Sequence, residues 1–242
     1  KKLGRSWSAV GHLTGVMDSE ALRTVYNENL PRMTQFYIEL SQNEALFAKY
    51  KAIEASGAFA TLDTGRRRIL ARGLRDFRLS GADLAPEPKA RLKELGQEDA
   101  ALSQKFSENL LDATNAFALD IEDEAELKGI PEDVVAMYRQ NAQAAGLEKG
   151  WRITLQMPSY LPAMQYADNA ALREKLHRAY STRASEFGPA EKDNTPVIRA
   201  LLKNRREEAL LLGYKNYAEV SLVPKMADSP QAVEAFLSEL AD

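Results

Sequence analysis

Apolar residues recur at steps of three and four through most of the chain, the spacing of helices that bury one face. Leu22, Val25, Tyr26, Met33, Phe36, Tyr37 and Leu40 predict a helix that Asp18 or Ser19 caps. Pro31 is expected to kink or split it, since proline removes a backbone donor and clashes with the preceding turn. Leu46, Phe47, Tyr50 and Ile53 predict a second helix over about 43–56. Thr61-Leu62-Asp63-Thr64 reads as a capping loop, and the helix after it runs to Ser80 with Gly81 as its stop. A long helix follows over about 86–113, carrying Leu92, Leu95, Leu102, Phe106 and Leu110, with a wobble expected at Gly96.

The period then changes. Phe117, Leu119 and Ile121 alternate, as do Trp151, Ile153, Leu155 and Met157, predicting strands over about 116–121 and 151–157. A helix that Pro131 opens and Gly146 closes lies between them. Helical spacing returns in a short segment over 158–167. It continues after Asn169 with Leu172, Leu176, Ala179, Tyr180 and Phe187, and after Asn194-Thr195-Pro196 with Ile198, Leu201, Leu202, Ala209 and Leu212 up to Gly213. The fold class predicted is mainly α: a bundle-like set of helices with a small pair of β-strands, subdivided near 120–150 where strands interrupt helices.

Val233, Phe236, Leu237 and Leu240 fall at i, i+3, i+4 and i+7 in a last helix opened by Ser229-Pro230. No glycine, basic turn or proline follows it. Two strands also make a marginal sheet alone. Both features predict a segment of a longer protein with partner strands elsewhere; a natural C-terminal helix that frays is the alternative.

Composition narrows the function classes. The 242 residues are 45% hydrophobic and 28% charged, ordinary globular values. No apolar run exceeds Val134 to Tyr138, which argues against a membrane span. Without cysteine there are no disulfides, thiol nucleophiles or cysteine metal sites, a composition that suits the cytoplasm. A net charge of −3 argues against wholesale nucleic-acid binding.

Chemistry is sparse. His12 and His177 are the two histidines, and neither belongs to H-E-x-x-H, which sets two zinc ligands on one helical face. His12 reads as a loop or packing residue, and His177 as a residue beside a buried stripe. There is no G-x-S-x-G elbow and no phosphate-binding glycine loop. Asp120, Glu122, Asp123, Glu124 and Glu126 fail as a calcium loop, because Ala125 stands where glycine belongs and Pro131 where the bidentate glutamate belongs; they read as a solvated turn. Arg66, Arg67, Arg68, Arg72, Arg75 and Arg78 make one helix basic, with Arg68, Arg72 and Arg75 on one face. That face reads as solvated and partly paired with Asp76; anion or acidic-peptide binding is the alternative. These residues assign no activity.

Several stretches resemble the thimet oligopeptidase and oligopeptidase A family of zinc metallopeptidases, nearest to its bacterial branch. They are 8–13 (Ser-Ala-Val-Gly-His-Leu), 74–81 (Leu-Arg-Asp-Phe-Arg-Leu-Ser-Gly) and 109–114 (Asn-Leu-Leu-Asp-Ala-Thr). Others are 157–164 (Met-Pro-Ser-Tyr-Leu-Pro-Ala-Met), 169–185 and 212–219 (Leu-Gly-Tyr-Lys-Asn-Tyr-Ala-Glu), with Ser221-Leu222 and Lys225-Met226-Ala227. Their order and spacing carry the resemblance along nearly the whole chain.

The resemblance implies a mostly helical, two-lobed, cytoplasmic enzyme with a deep channel between its lobes. Short peptides enter, and their internal bonds are hydrolysed. It implies one zinc held by H-E-x-x-H and a further glutamate, the motif's glutamate acting as general base. In family order those residues come after the end of this sequence. The resemblance therefore assigns no catalytic residue and no metal ligand to any position here, and leaves the channel-lining residues unassigned. Residues 1–242 would be the N-terminal helical half, inactive alone: scaffold and part of the channel wall. Its partners would be short peptides and the C-terminal catalytic portion of the same chain, with no nucleic acid and no membrane. Two other readings are a stand-alone helical module that binds peptides or proteins through Arg66 to Arg78, and a metal-independent hydrolase with an unrecognised site.

Overall fold

The structure, a computed structural model, describes residues 2–241. In order the elements are α1 (Lys2–Val16), α2 (Glu20–Ser41), α3 (Glu44–Glu54), α4 (Gly57–Thr61), α5 (Thr64–Leu79) and α6 (Pro86–Ala116). Next come β1 (Ala118–Ile121), a 3-10 turn (Glu124–Leu127), α7 (Glu132–Ala144), β2 (Trp151–Thr154), α8 (Met157–Tyr166) and α9 (Ala170–Ser181). A second 3-10 turn (Ala190–Lys192), α10 (Thr195–Leu211), α11 (Tyr217–Leu222) and α12 (Pro230–Ala241) complete the chain. The fold is mainly α with one two-stranded antiparallel sheet, as the periodicity predicts.

Side-chain caps set many boundaries. Ser19, Asn43, Asp63 and Asn169 each accept a backbone N–H in the first turn of α2, α3, α5 and α9. Two outcomes refine the expectations. Pro31 does not split α2, which runs unbroken from residue 20 to 41. Its ring sits on the exposed side. The strands are shorter than their alternation: residues 116 and 157 belong to helices α6 and α8. At the end of β2, Ser159 Oγ accepts the Thr154 N–H at 2.9 Å and the Gln156 carbonyl accepts from Ser159 and Tyr160, so the chain turns into α8.

The chain divides into two compact units, residues 1–103 with 199–242, and residues 104–198. The first unit holds a cluster of Phe47, Leu70, Leu74, Phe77 and Ala82, joining α3 to the inner face of α5. Phe47 and Tyr50 pack on Phe77 with ring centroids 5.4 Å apart in each pair. Buried Asn204 of α10 donates to the Leu95 carbonyl at 3.0 Å, and Arg91 grips Glu207 with Nε–Oε1 at 2.6 Å and Nη2–Oε2 at 3.0 Å.

The second unit is built on the sheet. Leu119 pairs with Ile153 and Ile121 with Trp151 on one face, and Ala118 with Thr154 and Asp120 with Arg152 on the other. The apolar face meets α7, α8 and α9 in a core of Ile121, Tyr138, Ile153, Leu155, Ala163 and Leu176. Burial pushes the Tyr138 phenol up to about 12, and its hydroxyl donates to the Ser159 carbonyl at 2.6 Å.

Candidate functional site

The residues singled out for chemistry do not converge. His12 lies on an exposed position of α1 in the first unit. His177 lies on an exposed position of α9 in the second, beside buried Leu176, with its Nε2 3.4 Å from Ser181 Oγ. Among the described residues no three histidine, aspartate or glutamate side chains are placed to hold a metal ion. A zinc site needs three or four such donors around one point, so these residues do not fit zinc.

The acidic cluster is spread out. Asp120 is bound by Arg152 through two hydrogen bonds, of 2.6 and 2.8 Å, across the strand pair. The Arg152 guanidinium holds the Asp120 carboxyl below the usual carboxylate range. Asp123 accepts the Ala125 N–H and closes the 3-10 turn, while Glu122 and Glu124 face solvent.

Two concave surfaces remain, one in each unit. In the first, a groove of about 660 Å³ runs between α2, α3, α5 and α6, with Tyr37, Ile38, Leu46 and Phe77 among its walls and Gly73 and Gly96 lining it. In the second, a cavity of about 290 Å³ is lined by Ala113, Ala116, Phe117, Leu155 and Ala179 on one side and by the loop from Thr182 to Lys192 on the other. Phe187 in that loop is 74% exposed. The small side chains of α6 and α9 open the space, and the aromatic rings bound it.

Below the loop, Tyr160 and Tyr180 stack with centroids 4.2 Å apart, and the Arg183 guanidinium lies 3.5 Å over the Tyr180 ring. Arg183 also donates to the Tyr180 carbonyl and to Thr114 Oγ1, which locks it. Burial raises the Tyr160 phenol, Tyr180 adds to the rise, and Arg183 opposes it. Such a surface can hold an apolar side chain beside fixed positive charge. It aligns no nucleophile with a general base, so it has the parts for binding and positioning, not for bond cleavage. Sequence reasoning missed this stack. Tyr180 and Arg183 are three residues apart, but no local spacing joins Tyr160 to them.

The remaining predicted feature is α5. Leu70, Leu74 and Phe77 face inward, whereas Arg66, Arg67, Arg68, Arg72 and Arg78 are exposed and Arg75 is half-buried. Arg75 pairs with Asp76 at 2.7 Å, as the sequence suggests.

Comparison with known proteins supplies what the site lacks. The model of the neurolysin/thimet oligopeptidase N-terminal domain matches residues 1–89, and that of peptidase family M3 matches residues 163–242. Oligopeptidase A of Salmonella typhimurium is 43% identical over 241 residues, 99% of this chain and 35% of that protein. Oligopeptidase A of Haemophilus influenzae is 43% identical over 243 residues, covering 100% of this chain and 36% of that protein. A probable cytosolic oligopeptidase A of Arabidopsis thaliana is 39% identical over 96% of this chain and 34% of that protein. The chain thus spans about a third of the length of the curated relatives it matches. The match runs along the whole chain rather than through one motif, and it places the chain in the thimet oligopeptidase and oligopeptidase A family, as an N-terminal-half segment.

Proposed function

We propose that this chain is the non-catalytic N-terminal helical half of a two-lobed zinc oligopeptidase that hydrolyses internal bonds of short peptides. In this reading residues 1–242 supply scaffold and part of the wall of a substrate channel. The C-terminal portion of the same polypeptide supplies the zinc ligands and the general base. The observation that carries the reading is 43% identity to bacterial oligopeptidase A along 99% of the chain. It is supported by the match of the neurolysin/thimet oligopeptidase N-terminal domain and peptidase family M3 models to residues 1–89 and 163–242.

The channel wall contributes through positioning. A peptide held against fixed walls loses translational and rotational freedom before reaction, which lowers the barrier to the step that follows. The apolar cavity beside Phe117 and Phe187, with the locked Arg183, is the kind of surface this role needs. The cytoplasm is the proposed location, supported by the absence of cysteine and by the cytosolic name of the Arabidopsis relative. No helix is long and apolar enough to cross a membrane among the described residues.

The test is a chimera. This chain replaces the matched 241 residues of Escherichia coli oligopeptidase A, to which it is 43% identical. The chimera is expected to cleave a quenched fluorescent peptide, and a zinc chelator to stop it. The 242-residue chain with added zinc is expected to cleave nothing. A folded but inactive chimera, or chelator-sensitive cleavage by the chain alone, would overturn the reading.

A further inference from the structure

We propose that the outward face of α5 docks an acidic polypeptide segment through Arg68, Arg72 and Arg75. Charge is segregated on this chain. Residues 43–80 carry eight lysines and arginines against four carboxylates, a net +4 within a chain of net −3. Three of these arginines share one face of α5. Leu70, Leu74 and Phe77 point α5 into the core of its unit, and the helical repeat sets Arg68, Arg72 and Arg75 on the opposite side. Among the described residues Arg68, Arg72 and Arg78 have no ion-pair or hydrogen-bond partner, and Asp76 is the one carboxylate of α5. Ile69 lies beside Arg68 and Arg72 and is 68% exposed. Unneutralised arginines around an exposed aliphatic side chain are the composition of a contact surface.

The geometry favours a protein partner. Along the helix axis the three guanidinium-bearing positions rise by about 6 and about 4.5 Å, which matches carboxylates one turn apart on an acidic helix. Each planar guanidinium can donate two parallel N–H bonds to one carboxylate. No aromatic ring shares that face for a base to stack on, since Phe77 points inward; the arginines therefore favour acidic protein over nucleic acid.

The experiment uses the 242-residue chain and a fluorescein-labelled helical peptide with glutamates at i, i+4 and i+7, read by anisotropy at low salt. Saturable binding is expected, with loss when the glutamates become glutamines. Arg68→Glu, Arg72→Glu and Arg75→Glu together are expected to weaken it about tenfold or more. An equal charge change at exposed Lys149, Lys175 and Arg178, each to Glu, is expected to change it less than about threefold, because none of these residues belongs to α5. Should the first triple variant fail to show wild-type circular dichroism, Arg68→Gln, Arg72→Gln and Arg75→Gln together replace it, with loss in the same direction. No saturable binding, equal losses in the two triple variants, or tighter binding of a single-stranded oligonucleotide than of the peptide would each overturn the proposal.

Discussion

Asn109 donates its side-chain N–H to Oδ1 of Asn194 at 2.9 Å, and both residues are buried. Asn194 passes the contact on. Its Nδ2 donates to the Phe106 carbonyl at 3.0 Å, and its backbone N–H donates to the carbonyl of Ala184, which has a positive φ of 48°. One amide thus ties α6 to the loop that walls the second unit's cavity. Asn194→Ala leaves the buried Asn109 donor without its partner and removes the bond to the Phe106 carbonyl, a loss of about 1–3 kcal/mol. Urea unfolding followed by Trp151 fluorescence in a Trp7→Phe background should show an earlier midpoint. Asn194→Asp should not restore it, because a carboxylate cannot donate to Phe106. A midpoint unmoved by Asn194→Ala would mean the amide contributes nothing net.

Much of this fold is legible in the sequence because its signals are local. Ser19, Asp63 and Asn169 announce helices within a few residues, and the alternation of Leu119 with Ile121 and of Trp151 with Ile153 announces the strands. What is not legible depends on partners far along the chain. Helix α1 has no buried residue and carries Gly4, Gly11 and Gly15, so its pattern is weak; it is placed by contacts such as Trp7 stacking on Tyr26 at 4.5 Å. Asn194 reads as a cap before Pro196, whereas its side chain turns inward to α6. Likewise Tyr160 and Tyr180 lie in separate helical segments of the sequence, and only the fold stacks them. The site's chemistry is illegible for a different reason: the residues that would carry it are proposed to lie in the C-terminal portion of the same polypeptide, outside residues 1–242.

Two glycines with similar backbone angles should respond very differently to substitution. Gly146 and Gly150 have φ of 83° and 82°, where side chains are disfavoured. A Cβ at Gly146 meets nothing within 4 Å, whereas one at Gly150 would lie 2.4 Å from the Ile121 carbonyl oxygen. Gly146→Ala should therefore cost about 1 kcal/mol, the left-handed penalty alone. Gly150→Ala must also push β1 from β2 and should lower the melting temperature considerably further. Equal losses would mean that the strand pair yields without cost.

Tyr138 gives the second unit a response to alkali. Its folded phenol ionises at about 12 because burial disfavours the phenolate, against an ordinary value of 10. The native state therefore holds a proton that the unfolded state has released, and stability falls wherever that difference exists. The contribution is full below pH 10 and is lost as pH rises from 10 through about 12. Tyr138→Phe should remove this part of the alkaline loss. At neutral pH it should cost about 1 kcal/mol for the hydrogen bond to Ser159. Unfolding midpoints for the two proteins should then converge as pH rises; parallel curves would show that Tyr138 ionises as freely folded as unfolded.

Helix α12 predicts weak self-association. Phe236, Leu237 and Leu240 are 59, 56 and 67% exposed, and none of its described residues is buried. Fully burying one such side chain contributes about 1.5–3 kcal/mol, while association costs about 4–15 kcal/mol in lost freedom. Three such residues from each of two copies, already partly covered, gain an amount of the same order as that cost, so the contact should be weak and strongly concentration-dependent. Sedimentation velocity should give a mass near 26.9 kDa when dilute and a rising average on concentration. Leu237→Glu places a charge in the middle of the stripe, and the average should then stay at the monomer value with the helical circular dichroism unchanged. If the variant associates as the parent chain does, the contact lies on another face, and the exposed stripe of α12 does not drive it.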